Sequence, residues 1–238
     1  MNSPVLEIDG LVKSYGGLRP LRLRRLVVAS GERVALAGFD QTTAEVFVNL
    51  VTGATLAEEG AIRAFGRATS DVTESADWLA SLDRFGIVSE RVVLLDQCTA
   101  AQNIAMSLTL DIDPLTPEVE AAVGGLASEV GLESAALTGL MQGATVGTRH
   151  RVRLARAIGT NPSVLLVEHP VAGLDERDVA PFAADLERVA RGRGVAVVVL
   201  AAAVEAARPF GSRVLSLNGG TGELTEAARR GILGWLGY

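Results

Sequence analysis

The chain has few of the residues that most often mark a partner or a compartment. Among 22 basic residues there is one lysine, Lys13, and among 238 positions one cysteine, Cys98. A lone cysteine excludes an internal disulfide and suits a reducing compartment, where a small buried thiol behaves as an apolar side chain. A formal charge of −6 argues against the basic face that a nucleic-acid binder needs to displace counterions from phosphates, so no nucleic-acid partner is expected. Runs of like charge, internal repeats, low-complexity tracts and Pro/Gly-rich linkers are all missing from the sequence. The start, MNSPVLEIDG, has neither the basic beginning nor the apolar centre of an export signal. The most apolar stretch, VAVVVLAAAV at 195–204, is too short for a membrane-spanning helix, which requires about 20 residues. The sequence therefore predicts a soluble chain whose membrane role, if it has one, comes through a partner.

With 48% hydrophobic and 21% charged residues, the composition is globular, and the length fits one α/β domain. Leu6–Val12 and Leu21–Val28 alternate polar with apolar residues, as half-exposed antiparallel strands do. RVALA at Arg33–Ala37 reads as a short buried strand, followed by a turn and a helix from about Thr43 to Thr52. Ala61–Phe65 and Phe85–Val88 are further short strands, and the pattern is helical from Thr99 to Thr160, with boundaries at Pro114 and Pro117 and at Gly139 and Gly143. Alternation then returns: strand Val164–Val167, helix Glu176–Arg191, strand Val195–Leu200, strand Arg213–Leu217 and a closing helix Glu223–Leu236. This order predicts a parallel-core sheet with an antiparallel start and a helical insertion.

The segment RVRLARAIGTNPSVLLVEHPVAGLD, Arg151 to Asp175, resembles the ATP-binding cassette family of membrane transporters. That family has a helix reading R-V-x-x-A-R-A, then N-P, a buried strand, two acidic residues, a proline and a loop ending G-L-D. Further landmarks follow at family order and distance: Lys13-Ser14-Tyr15, GERVAL at Gly31–Leu36, Asn49 to Gly53, and Thr99 to Ile104. The resemblance spans the chain. It implies an α/β P-loop fold with an antiparallel N-terminal β part and a helical subdomain spanning roughly residues 90–160, all in one cassette domain over 1–238.

The same resemblance locates an ATP site in which most positions are altered. A phosphate loop, G-x-x-x-x-G-K-S/T, needs glycines so that backbone N–H groups can wrap phosphates, a lysine for the terminal phosphates and a hydroxyl for Mg²⁺. Here the window is GFDQTTAEV. Gly38 is kept, Thr43 replaces the second glycine, Ala44 the lysine and Glu45 the hydroxyl. A carboxylate at 45 set against a phosphate about 4 Å away costs roughly 4 kcal/mol at a surface-like dielectric. More simply, Glu45 satisfies the dipole at the start of the helix in the absence of a phosphate. Among the family's catalytic positions, Glu168 falls at the metal-binding acid, His169 at the catalytic glutamate, Glu90 at the Q-loop glutamine and Ala202 at the switch histidine. His150, at the start of the signature helix, cannot take the switch role. The signature L-S-G-G-Q/E aligns with ATVGT at 144–148, keeping Thr145 and Gly147. Tyr15, at the adenine-stacking position, and Asp175 of the loop ending G-L-D are intact.

Glu45, Glu90 and Glu168 could converge on a divalent cation, but an acidic pocket without deliberate ligand geometry is more simply solvated, and no metal site is expected. The resemblance thus implies a pseudo-ATPase subunit, docked on a transmembrane permease and paired in a heterodimer with a competent ATPase subunit. ATP and Mg²⁺ are its cofactors only if the altered site still binds them. It would lie in the cytoplasm, at the inner face of the membrane. A slowly hydrolysing ATPase and a free-standing interaction protein remain the alternatives at this point.

Overall fold

A computed structural model of the chain describes residues 3–227. In chain order, β1 (Pro4–Lys13), β2 (Leu21–Ala29), β3 (Arg33–Ala37), α1 (Gln41–Val51), β4 (Glu59–Ala64), β5 (Arg67–Ala68), α2 (Ser75–Leu82) and β6 (Phe85–Val88) come first. Helices α3 (Ala100–Ala105), α4 (Pro117–Glu129) and α5 (Val146–Gly159) follow. The chain then runs through β7 (Val164–Glu168), α6 (Glu176–Arg193), β8 (Ala196–Ala201), α7 (Val204–Ala207), β9 (Arg213–Asn218) and β10 (Glu223–Glu226).

The strands form two sheets. One is antiparallel with order β2-β1-β4-β5, and Ile8 of β1 sits between Leu26 of β2 and Ile62 of β4. The other has order β10-β9-β3-β8-β7-β6. Its pairs are parallel from β9 to β6, and β10 returns antiparallel to β9. The apolar runs of β7 and β8 have no polar alternation because both faces of this sheet are covered. Val164, Leu166, Val198 and Leu200 pack on one side with the antiparallel sheet and with Phe47 and Leu50 of α1. Leu165, Val167, Val197 and Val199 pack on the other side with α5 and α6, through Leu154, Ile158, Phe182 and Leu186. Helix α1 is therefore held between the two sheets, and its first turn lies at the C-terminal edge of β3. Ligands of open parallel sheets bind at that edge.

Local signals account for the helix ends. Thr99 opens α3 with a reciprocal capping box to Gln102, and Thr116 caps α4, whose first residue is Pro117. Two expectations change. The helix expected from Thr43 starts at Gln41. The closing helix expected from Glu223 is instead strand β10 over Glu223–Glu226, and the remainder of that span, from residue 228, lies outside the described residues. The reason is the turn before it. Gly222 has φ 74, which folds the chain back onto β9 so that Leu224 pairs with Leu217 and packs against the core.

Helix α5 packs directly against β6 at Gly86. A Cβ there would lie 2.6 Å from the backbone oxygen of Ala157 and 2.6 Å from Leu165 Cδ2. Gly86→Ala should therefore destabilise the chain by about 1–3 kcal/mol through overpacking. By contrast, a Cβ at Gly125 on α4 meets nothing within 4 Å. Gly125→Ala should stabilise by about 0.5–1 kcal/mol through helix propensity. Urea midpoints of the two variants against the parent chain check both signs.

Candidate functional site

The turn from β3 into α1 is short because the helix has grown into it. Gly38 takes φ 93, where a Cβ would come within 3.1 Å of the Leu217 carbonyl oxygen. Its N–H donates to Ala202 O at 3.2 Å, and that of Phe39 to Ala201 O at 3.0 Å. Phe39 is fully buried and meets Phe47 edge-on, with ring centroids 5.5 Å apart. Asp40 is the N-cap. Its Oδ1 accepts from Thr43 N at 2.7 Å and from Thr43 Oγ1 at 2.5 Å. The Thr43 hydroxyl, then the Thr43 amide, hold the Asp40 carboxyl below its usual range. Gln41 and Thr42, two of the four residues that would arch over a phosphate, thus lie with Thr43 in the first helical turn. The anion at that helix N-terminus is the chain's own carboxylate.

This corrects the reading of Glu45. The residue that satisfies the helix dipole is Asp40. Glu45 lies one turn further on and pairs with Arg91 at 3.5 Å. Ala44 is fully buried within the cluster that contains Phe47, Val48 and Leu200, so position 44 faces the core.

Arg91 organises the acidic residues. Glu168 ends β7 with a side chain only 4% exposed. Its Oε2 accepts from Ser89 Oγ at 2.7 Å and from Arg91 Nε at 3.1 Å, while Arg91 Nη2 bonds Oε1. This is a two-point guanidinium–carboxylate fork. Arg91 Nη1 faces Glu45 Oε1, so one guanidinium lies between the two carboxylates. The bonds to Glu168 raise the Arg91 pKa above its usual value. The carboxylates expected to be solvated divide differently: Glu45 and Glu168 converge on an arginine, and Glu90 stays exposed.

A cavity of about 290 Å³ opens beside this network, between Gln41, Glu90, His169, Val171 and Ala202. His169 has φ 45, unusual for a residue with a side chain. Its N–H donates to Leu200 O at 2.8 Å, and its carbonyl accepts from Ala172 N at 2.9 Å. Its ring Nε2 is buried and has no partner. Ala202, just past the end of β8, accepts from Gly38 N through its carbonyl and carries no polar side chain.

The other sequence-selected residues lie around this centre. Tyr15 follows β1, half-buried, with its ring over Gly17. Burial, and then the nearby Asp40 charge, raise its phenol pKa. Lys13 is paired with Glu58 at 3.7 Å, away from the α1 turn. Thr145 caps α5, accepting from Thr148 N at 3.2 Å. Gly147 is buried in that helix's first turn, and Val146 lies over Gly173. Asp175 is exposed at the head of α6, 3.4 Å from Arg177. His150 is buried in α5, bonded to Val146 O at 3.0 Å and edge-on to Phe182. Burial lowers its pKa.

Two side chains central to this arrangement, Asp40 and Arg91, fall outside the motif positions. Asp40 carries a readable signal, since an aspartate just before a helical run is a capping residue. Arg91 carries none, because its contacts to residues 45 and 168 exist only once β6, β7 and α1 are brought together.

Comparison with known proteins agrees with this architecture. The profile of the family described as ABC transporter matches residues 24–172. The chain is 30% identical over 201 residues to the phosphonates import ATP-binding protein of Anaeromyxobacter dehalogenans, covering 82% of this chain and 40% of that protein. It is 32% identical over 225 residues to a sulfate/thiosulfate import ATP-binding protein of Chromobacterium violaceum, covering 92% of this chain and 58% of that one. A lipoprotein-releasing system ATP-binding protein of Caulobacter vibrioides is 30% identical over 234 residues, covering 94% and 99%. The chain thus spans about half the length of the first two relatives and almost the whole of the third. Among solved structures, a dimeric ATP-binding cassette in a post-hydrolysis state with ADP and Pi superposes with a TM-score of 0.76 at 22% identity, over 95% of this chain and 99% of that one. The cassette cbiO1 of Clostridium perfringens gives 0.77 at 16% identity, over 94% and 88%. With this fold, a profile match across more than half its length and relatives at these identities, the chain belongs to the ATP-binding cassette family of ABC transporters.

Proposed function

We propose that the chain is a pseudo-ATPase subunit of a membrane transporter, one that keeps the cassette fold but does not hold Mg-ATP at its own phosphate loop. The observation that carries this reading is the α1 turn. The N–H groups of Gly38 and Phe39 are bonded to Ala202 and Ala201, and Asp40 occupies the helix N-terminus. A triphosphate would have to displace that carboxylate and would find no lysine, since position 44 is alanine facing the core. The residues that would ligate Mg²⁺ share a guanidinium, and His169 would face a phosphate that nothing nearby holds. The residues present do not fit the magnesium-bound nucleotide that the family implies.

The transporter role rests on family membership and on the relatives' names, which place them in import and lipoprotein-releasing systems. No helix among the described residues is long and apolar enough to cross a membrane, so attachment would come through a permease. Just beyond Arg91, Val93 and Leu95 are exposed at 70% and 44%. Beside them runs a groove of about 300 Å³ lined by Leu82, Ile87, Val92 and Arg156. This is the apolar surface on which a permease segment would rest, at the cytoplasmic face.

The α5 N-terminus is less altered. Exposed Thr145 caps a first turn in which Gly147 is buried, and this helix end would present donors to a phosphate held by another subunit. We therefore place the chain in a heterodimer with a competent cassette, which supplies the loop that faces Thr145.

Calorimetric titration of the chain with Mg-ATP at neutral pH should show no saturation at millimolar-order nucleotide, and Ala44→Lys should not restore binding. Low-micromolar affinity would overturn the reading. In a complex reconstituted with its permease and partner ATPase, Thr145→Ala or Gly147→Arg should lower ATP turnover by about tenfold, equivalent to about 1.4 kcal/mol in the barrier. Ala44→Ser and His169→Ala should leave it nearly unchanged. Transport by two copies of this chain with no other ATPase would defeat the heterodimer.

A further inference from the structure

Resting on the pseudo-ATPase reading and extending it to the same site's regulation, we infer that Arg91 is the resident cation of this site: it fills the place a divalent metal would take between Glu45 and Glu168 and latches residues 89–95 to the sheet.

The geometry has two sides. On the core side, the guanidinium forks onto Glu168 and faces Glu45, and the Arg91 N–H donates to Ser89 Oγ at 3.1 Å. Ser89 Oγ itself donates to Glu168. Two carboxylates thus flank one positive charge, with Ser89 Oγ bonded to Glu168 and to the Arg91 backbone, and oxygen donors of this kind are what Mg²⁺ or Mn²⁺ selects. A buried carboxylate without a partner is strongly disfavoured, so Glu168 requires a cation, and the chain supplies it from residue 91.

On the helical side, the same segment is tied to α3 and α5. Arg153 Nε donates to Val92 O at 3.2 Å and Arg156 Nη1 to Val93 O at 2.8 Å. Asn103 is fully buried. It accepts from Leu95 N at 2.8 Å and donates to Leu95 O at 3.0 Å. Residues 89–95 are therefore bonded to the β7 end through Arg91 and to the helices through their carbonyls. A metal and nucleotide come and go, so a segment that closes on them changes position with occupancy. A covalently attached guanidinium cannot diffuse away, so it favours one position of the segment.

The test uses Mn²⁺ as the probe, followed by electron paramagnetic resonance, on the full chain and three variants. The parent chain and Arg91→Lys, which keeps a cation, should bind Mn²⁺ only weakly. Arg91→Ala should bind it at a free concentration lower by at least about tenfold, a difference of about 1.4 kcal/mol. Equal Mn²⁺ binding by the parent and Arg91→Ala overturns the resident-cation assignment. Should Arg91→Ala fail to fold because Glu168 is left unpaired, that failure, with recovery in Arg91→Ala/Glu168→Gln, itself supports the assignment; no recovery in the double variant overturns it. Amide exchange reads the latch. In the double variant, where position 168 carries no unpaired buried charge, residues 89–95 should exchange about tenfold faster than in the parent. Unchanged protection overturns the latch. ATP titrated into the parent with Mn²⁺ in the buffer separates the two ideas. Binding there sinks the pseudo-ATPase reading and this inference together. Its absence, with no gain of Mn²⁺ binding in Arg91→Ala, sinks this inference alone.

Discussion

A carboxylate buried at the end of a central strand has to be matched by positive charge, and much of the site's arrangement follows from that constraint. Glu168 closes β7 with both flanking strands in register beside it, β6 pairing Val88 with Val167 and β8 pairing Leu200 with Glu168. It is therefore walled by backbone, with its carboxylate directed at the C-terminal edge of the sheet. Desolvating an ion there without a partner would cost several kcal/mol. Arg91 supplies the partner from the loop after β6, and in doing so it fixes Ser89, draws in Glu45 of α1 and sets the course of the chain toward α3.

The same logic of internal substitution governs the neighbouring helix end. An α-helix leaves its first N–H groups unpaired and carries partial positive charge there. In a nucleotide-binding loop a phosphate answers that need. Here Asp40 does, and the helix has advanced over Gln41 and Thr42 to meet it. Phe39 anchors the shortened turn by packing on Phe47. One internal anion and one internal cation thus occupy adjacent positions at the edge of the sheet. The cavity beyond them, with the unpartnered His169 Nε2, is lined by Ala201, Ala202 and Ala206 together with Gln41, Glu90 and Glu168.

The surrounding fold is indifferent to these changes because it is built elsewhere. The core lies in two clusters on the opposite faces of the parallel sheet, drawn from alternating residues of β3, β7 and β8. Both clusters are formed by the chain's own side chains. Glu45, His169 and Ala202 sit at strand ends, loops or helix surfaces, where a substitution changes chemistry and leaves packing intact. Ala44 is the exception: it has become part of the core beneath α1, so the altered loop is now tied to the hydrophobic packing.

The sequence by itself determined the order of the elements, the parallel core and the family, because periodicity, capping residues and motif spacing are local properties written along the chain. RVALA, VLLV and VAVVVL read as buried strands since both faces of the sheet that they form are covered. It also displayed where the chain's letters differ from the motif it resembles, because those are single positions. It misplaced the start of α1, where the cap at Asp40 outweighed the spacing of a phosphate loop, and the span after Gly222, where a turn with positive φ redirected the chain into β10. Only the tertiary structure decided which side chains meet at the edge of the sheet. Arg91 is separated from Glu45 and Glu168 by long stretches of chain, and neither propensity nor motif connects them. They meet because β6 and β7 are neighbours in the sheet and α1 is packed beside them, and a long-range ion pair is specified only by that packing.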